Sequence, residues 1–102
     1  MVAATRLDRT DLERRARALA AAGDPVRLAM LTLLARHRAL CVCEIQAAFP
    51  LGQPTVSHHL RVLREAGVVD VVRRGRWAYY SVRRDALADL ARGMLALTRS
   101  EV

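Results

Sequence analysis

Pro50-Leu51-Gly52 interrupts two stretches of helical spacing, and that interruption decides the architecture. Before it, Val42 to Phe49 reads as a short helix. After it, Gln53-Pro54 restarts the chain with proline at the start of a helix, which runs to about Ala66 and ends at Gly67. Helix, tight turn with glycine, helix is the helix-turn-helix pattern. No third helix follows directly. Val68-Val69-Asp70-Val71-Val72 is β-branched, Arg73-Arg74-Gly75-Arg76 has turn chemistry, and Trp77-Ala78-Tyr79-Tyr80-Ser81-Val82 is an aromatic-rich strand. The two runs read as a β-hairpin tipped by Arg and Gly.

Helices are expected on both sides of this unit. Thr10 and Glu13 form a capping-box pattern, Leu12, Ala16, Leu19 and Ala20 follow at helical spacing, and Gly23 stops the run. Asp24-Pro25 opens a second helix that is apolar nearly all round from Val26 to Ala35, as a centrally buried helix is. A last helix, about Asp85 to Thr98, carries Leu87, Leu90, Met94 and Leu97 on one stripe. Met1 to Arg9 is polar and reads as a frayed end. The expected order is ααααββα, mainly α with a small β-hairpin. It describes one winged helix-turn-helix domain over 1–102, with the helix-turn-helix at 42–66, the wing at 68–82 and terminal helices at 10–22 and 85–98.

All 17 basic residues are Arg, against 10 acids, so the net charge is +7 on 102 residues. With 53% hydrophobic residues this is no disordered basic tail. The excess implies an anionic partner, nucleic acid or an acidic membrane surface. No run of uncharged apolar residues is long enough to span a bilayer, and the N-terminus lacks the apolar core of a signal peptide, so a cytoplasmic chain is expected. The charge is localised. Residues 1–24 carry +1, 25–52 carry +2, 53–84 carry +5 and 85–102 carry −1. Most of the excess lies on the fourth helix and the wing. Arginine also suits guanine edges and phosphates, which it binds bidentately.

On the fourth helix Val56, Leu60 and Leu63 share the inward face. Gln53, Thr55, Ser57, His58 and Arg61 offer donors and acceptors toward its N-terminal end, the part a recognition helix places in the major groove. Arg64 on the helix and Arg73, Arg74 and Arg76 on the wing add phosphate-binding charge. His59 lies about 60° from the centre of the apolar face and reads as a packed, satisfied histidine. Trp77 and Tyr79 share a strand face and are expected in the core. Tyr80, on the other face, is a candidate for a phosphate contact.

These residues resemble the ArsR/SmtB family of metal-sensing winged-helix repressors. The resemblance rests on Asp24-Pro25-Val26-Arg27-Leu28, on Gln53-Pro54-Thr55-Val56-Ser57-His58-His59-Leu60 with Leu63-Arg64-Glu65-Ala66-Gly67, and on Gly75-Arg76-Trp77-Ala78-Tyr79-Tyr80, and it spans about residues 10 to 98. It implies a homodimer paired through the first and last helices, with Leu12, Ala16, Leu19, Leu87, Leu90, Met94 and Leu97 at the interface. It also implies repression by binding a palindromic double-stranded operator, with release by a toxic metal or metalloid. Arg74 departs from the pattern, since the family often has an acid before the wing glycine.

Leu40-Cys41-Val42-Cys43-Glu44-Ile45 resembles the arsenite-site motif of the family's arsenic-responsive branch. Thiolates suit soft ions such as As(III), Sb(III), Cd(II) or Pb(II), and the resemblance implies As(III) or Sb(III) as the inducer, with Cd(II) or Pb(II) as alternatives. Both cysteines stand at a helix start, where the dipole favours thiolate. Residues i and i+2 of a regular helix point about 200° apart. Either Cys41 precedes the helix, or binding unwinds its first turn and strains the helix-turn-helix. Gln46 stands where the motif often has a third Cys. A thiol redox switch on the same pair is the nearest rival, and a ligand-free architectural DNA binder is another. An arsenate-reductase-like enzyme needs a Cys-x5-Arg loop, but Ala47 and Phe49 occupy the Arg positions, so no enzyme and no catalytic cofactor is expected. From Ser81 onward there is neither His nor Cys for a zinc or nickel site on the last helix; Asp85 and Asp89 read as a helix-start acid and its i+4 neighbour. His37 reads as a solvated helix end.

Overall fold

The computed structural model describes residues 8–99. The polar stretch expected to fray therefore lies, from residue 1 to 7, outside the described residues. The elements are α1 (Arg9–Ala22), α2 (Pro25–Ala35), β1 (Leu40–Cys41), α3 (Val42–Ala48), α4 (Gln53–Glu65), β2 (Val69–Arg74), β3 (Trp77–Val82) and α5 (Arg84–Ala96). This is the expected mainly helical winged helix-turn-helix with one addition, the strand β1. The sheet order is β1-β3-β2, antiparallel throughout, with Leu40 opposite Tyr80 and Cys41 opposite Tyr79. A two-residue strand is too short to show any periodicity, so only pairing reveals it.

Local chemistry explains most of the boundaries. Asp8, not Thr10, caps α1, and its carboxylate accepts from the Thr10 N–H at 2.9 Å. Helical geometry therefore begins at Arg9, and the expected Thr10–Glu13 capping box is displaced. Asp24 caps α2 and Pro25 occupies its first turn, as expected. At the end of α4 the Gly67 N–H bonds the Arg64 carbonyl at 2.9 Å and the Val68 N–H bonds the Leu63 carbonyl at 3.1 Å. This is the Schellman arrangement, and it needs the positive φ of 80° that Gly67 supplies. Gly75 (φ 61°) does the same for the two-residue hairpin turn.

The core gathers Met30, Leu31 and Leu34 of α2, Ile45 of α3, Val56, Leu60 and Leu63 of α4, Val68 and Val69 before and in β2, and Leu90 of α5. All are buried, and each such aliphatic side chain contributes about 1.5–3 kcal/mol of transfer free energy. α2 is not apolar-buried all round. Leu28 is 54% exposed, so one side of the helix faces outward. The inward face of α4 is the expected Val56, Leu60 and Leu63. Among the described residues no single helix is long and apolar enough to cross a membrane.

Candidate nucleic-acid interface

With Val56, Leu60 and Leu63 turned inward, α4 presents Gln53, Thr55, His58, Arg61 and Arg64 as exposed side chains, with Ser57 half-buried at the flank. The helix is held from behind by His59. Its Nδ1 lies 3.1 Å from Nη1 of Arg27, 32 residues away on α2. Arg27 is fixed in turn, because its Nε donates to the Ala21 carbonyl at 2.7 Å. Asp24 accepts from the backbone N–H groups of Val26 and Arg27 at 3.0 and 3.1 Å. The Arg27 N–H, more than any other group, holds that carboxyl below the usual aspartate range. His59 is thus the packed histidine the helix geometry predicts. Its partner was not foreseen, because nothing local links positions 27 and 59.

The wing brings Arg73, Arg74 and Arg76 to an exposed tip around Gly75. The faces of β3 are the reverse of those expected. Register pairs Val69 with Val82, Val71 with Tyr80 and Arg73 with Ala78. Ala78 is buried, and Tyr80 and Val82 pack against the core. Tyr80 therefore points inward and is not a wing-tip phosphate contact. Trp77 turns outward at 49% exposure, with Tyr79 and Ser81 on the same side. Strand alternation groups 77 with 79 but leaves open which group is the inner one. The inner group is Ala78, Tyr80 and Val82.

Charge pairing sharpens the picture. Arg83 lies 3.8 Å from Asp70 and 3.5 Å from Asp85, and Arg84 donates to the Ala35 carbonyl at 3.1 Å. Arg61, Arg64, Arg73, Arg74 and Arg76 form no ion pair with any described residue. These five unneutralised cations lie on α4 and the wing tip.

Cys41 precedes α3 and caps it. Its backbone is extended (φ −73°, ψ 159°), its Sγ accepts from the Glu44 N–H at 3.4 Å, and the Glu44 carboxylate accepts from the Cys41 N–H at 2.9 Å. This is a capping box with sulfur in the role of the usual hydroxyl. The sequence signal was present as Cys-x-x-Glu, but cysteine is seldom read as a cap. Because Cys41 is not helical, the two side chains converge without unwinding α3. The Cα atoms are 5.3 Å apart, and the sulfurs are joined as a disulfide. Cys41 is buried and Cys43 exposed. Beside Cys43 a cleft of about 360 Å³ is lined by Val42, Cys43, Gln46, Gln53 and Trp77, so it touches α3, the first residue of α4 and the first residue of β3. Gln46 gives its Nε2–H to the Leu51 carbonyl, which ties the end of α3 to the turn. Among the described residues no three His, Cys, Asp or Glu side chains cluster as metal ligands.

On the terminal helices Leu12, Ala16 and Leu19 of α1 are exposed, as are Met94 and, just beyond α5, Leu97 at 77%. Leu90 is buried inside the protomer, and Leu87 is half-buried against its core. Asp89 is more than a helix-start neighbour. It receives Arg14 of α1 at 3.0 Å and lies 3.6 Å from Arg15, joining the two terminal helices. The Arg14 hydrogen bond is the main reason its carboxyl is held below the usual range.

Known proteins share this fold. Residues 24–71 match the pattern described as bacterial regulatory protein, arsR family. An uncharacterized HTH-type transcriptional regulator of Methanocaldococcus jannaschii is 40% identical over 76% of this chain and 88% of its own length. An arsenic resistance transcriptional regulator of Pseudomonas putida is 49% identical over 56% of this chain, but the match spans only 44% of that relative. The solution structure of a homodimeric winged helix-turn-helix DNA-binding domain from Mycobacterium bovis, a possible ArsR-family regulator, superposes with a TM-score of 0.73. It is 27% identical and covers 95% of this chain and 92% of its own. A fold of this topology, with five arginines on the recognition helix and wing unpaired among the described residues, belongs to a family of DNA-binding transcriptional regulators and not of enzymes: the chain is a member of the ArsR family.

Proposed function

We propose that this protein is a homodimeric repressor that binds a palindromic operator and leaves it when a thiophilic metalloid, As(III) or Sb(III), binds Cys41 and Cys43. The DNA contacts in this reading are Gln53, Thr55, Ser57, His58 and Arg61 in the major groove and Arg64, Arg73, Arg74 and Arg76 at the phosphates. Dimerisation uses the apolar surface of α1 with Met94 and Leu97. The observation that carries the inducer assignment is the placement of Cys41 as an extended cap, which directs both sulfurs to one side of the start of α3.

The residues fit a soft ligand at two positions and leave the third to another group, since Gln46 is hydrogen-bonded to Leu51 and is a hard donor. The site acts on thiols, so the pair must first be reduced. A metalloid bound there supplies strong sulfur bonds that the capping hydrogen bond from Glu44 to Cys41 competes with. The cleft beside Cys43 explains how a change reaches DNA. Its other walls are Gln53, at the start of the recognition helix, and Trp77, which flanks the turn at the wing tip. Whatever displaces the α3 start presses on both DNA-contacting elements at once.

The joined sulfurs favour one second reading, in which oxidation itself is the signal. One experiment separates the two. A fluorescent duplex selected by the reduced protein from random DNA is titrated, then challenged with arsenite or with peroxide. Release by arsenite, lost in Cys41→Ser with binding retained, is expected. Arsenite release that survives Cys41→Ser refutes the assignment, and release by peroxide alone transfers it to the redox reading.

A further inference from the structure

The polar contact behind the recognition helix has a protonation requirement. A guanidinium carries donors only and stays charged. Where Nη1 of Arg27 lies 3.1 Å from Nδ1 of His59, the imidazole nitrogen must therefore be the acceptor. Its lone pair faces Arg27, its proton sits on Nε2, and the ring is neutral. A proton added at Nδ1 would set two donors face to face and two positive groups at hydrogen-bond distance.

The surroundings do not remove that conflict. From α1 the Ala21 carbonyl already accepts from Arg27 Nε, and Arg17 lines the adjoining cleft with Arg27. From α2 the Asp24 carboxylate is engaged by the Val26 and Arg27 N–H groups and is also near enough to attract a charged His59 ring, but it does not supply the acceptor that a protonated Nδ1 would lack. From α4 the His58 ring centre is 5.5 Å from that of His59, and Glu65 faces the Arg17–Arg27 cleft. Arg27 is the group in direct contact with Nδ1, so it decides which protonation state the contact accepts. The contact spans α1, α2 and α4, and α4 carries the exposed DNA-facing side chains.

We propose that Arg27 is a positioning residue that sets the recognition helix through neutral His59, so that operator affinity falls when His59 gains a proton. The inference rests on α4 being the DNA-reading helix. The sign follows from the hydrogen bond. It is intact while His59 is neutral and is lost when Nδ1 takes a proton. His58 works in the opposite direction. It lies on the exposed face, and its protonation adds a charge that phosphate attracts.

The test compares wild type with His59→Asn, whose Oδ1 stands near the position of Nδ1 and accepts without titrating. Affinity for the selected duplex is measured by fluorescence anisotropy from pH 8.0 to 5.5 at fixed salt, with reductant present. Wild type is expected to lose about thirtyfold more affinity over this range than His59→Asn, the loss of one hydrogen bond in each protomer of the dimer. Arg27→Met is expected to bind more weakly at pH 8.0 and to show no such excess loss in acid. Identical pH profiles for wild type and His59→Asn overturn the proposal. So does an Arg27→Met protein with the full wild-type acid sensitivity. Imidazole 15N NMR of the wild-type protein at pH 8.0 decides the matter even if the variants fail to fold. An unprotonated Nδ1 at His59 is expected, and a protonated one refutes the proposal. Wild-type protein that binds no duplex at pH 8.0 overturns the DNA-reading role of α4 itself, and this inference with it.

Discussion

Removing the Arg76 side chain should cost operator affinity in a way that salt reveals. Arg76 stands at the wing tip beside Gly75, exposed and without an ion-pair partner among the described residues. In a homodimer the Arg76→Ala substitution deletes two phosphate contacts. Each contact contributes about 0.9 to the slope of log affinity against log salt, so the slope should become shallower by about 1.8. Extrapolated from 1 M salt, where this term vanishes, to 0.15 M, that is about 1.5 log units, roughly a thirtyfold weaker complex. Arg14→Ala is the control. Arg14 is neutralised by Asp89 at 3.0 Å and Asp11 at 3.2 Å, on a helix away from the wing. Its slope should match wild type. The assay is anisotropy titration of the selected duplex at five salt concentrations between 0.05 and 0.4 M, spanning about a decade as the electrostatic argument requires. Equal slopes for Arg76→Ala and wild type, or equal losses for Arg76→Ala and Arg14→Ala, would refute the localised interface and point to a diffuse basic surface.

Two further outcomes follow from local geometry. Gly67→Ala places a side chain in open space but at φ 80°, so the penalty is backbone strain alone, about 1–2 kcal/mol, and thermal melting should drop by several degrees. An unchanged melting temperature would show that the turn can adopt another form. Asp89 has its folded carboxyl held low by Arg14, so its contribution to stability is present above the unfolded aspartate range, near pH 4, and is lost as the pH falls through the lower folded value. Asp89→Asn should therefore melt below wild type at neutral pH, and the gap should close in acid; a gap that persists at pH 2 would contradict the pairing.

The parts of the fold that were legible in the sequence are those set by neighbours in the chain. Asp24-Pro25, Gly67 and Gly75 each place a boundary by their own backbone preferences, and the inward stripe of α4 follows from spacing alone. The exposed polar set from Gln53 to Arg64 and the wing arginines were legible for the same reason. What escaped depended on distant partners. β1 exists only because Leu40 and Cys41 meet Tyr80 and Tyr79, 40 and 38 positions later. The inner face of β3 was settled by packing and not by alternation, which put Tyr80 inside and Trp77 out. Leu90 completed the apolar stripe of the last helix on paper, yet it fills the protomer core. Arg27 looked like one more basic residue until His59 arrived beside it.

The lock at Gly67 also bears on how such a protein meets operators of different layout. Only Ala66, Gly67 and Val68 separate the recognition helix from the wing, and all three are held by hydrogen bonds back into α4. The distance between groove contact and wing contact is therefore a constant of the protomer, like the gap between two teeth of a comb. Half-site spacing in a palindrome is a different length, set across the two-fold axis. In the dimer proposed above, any accommodation of a base pair more or less between half-sites would fall to the contact between subunits, and not to the reading head.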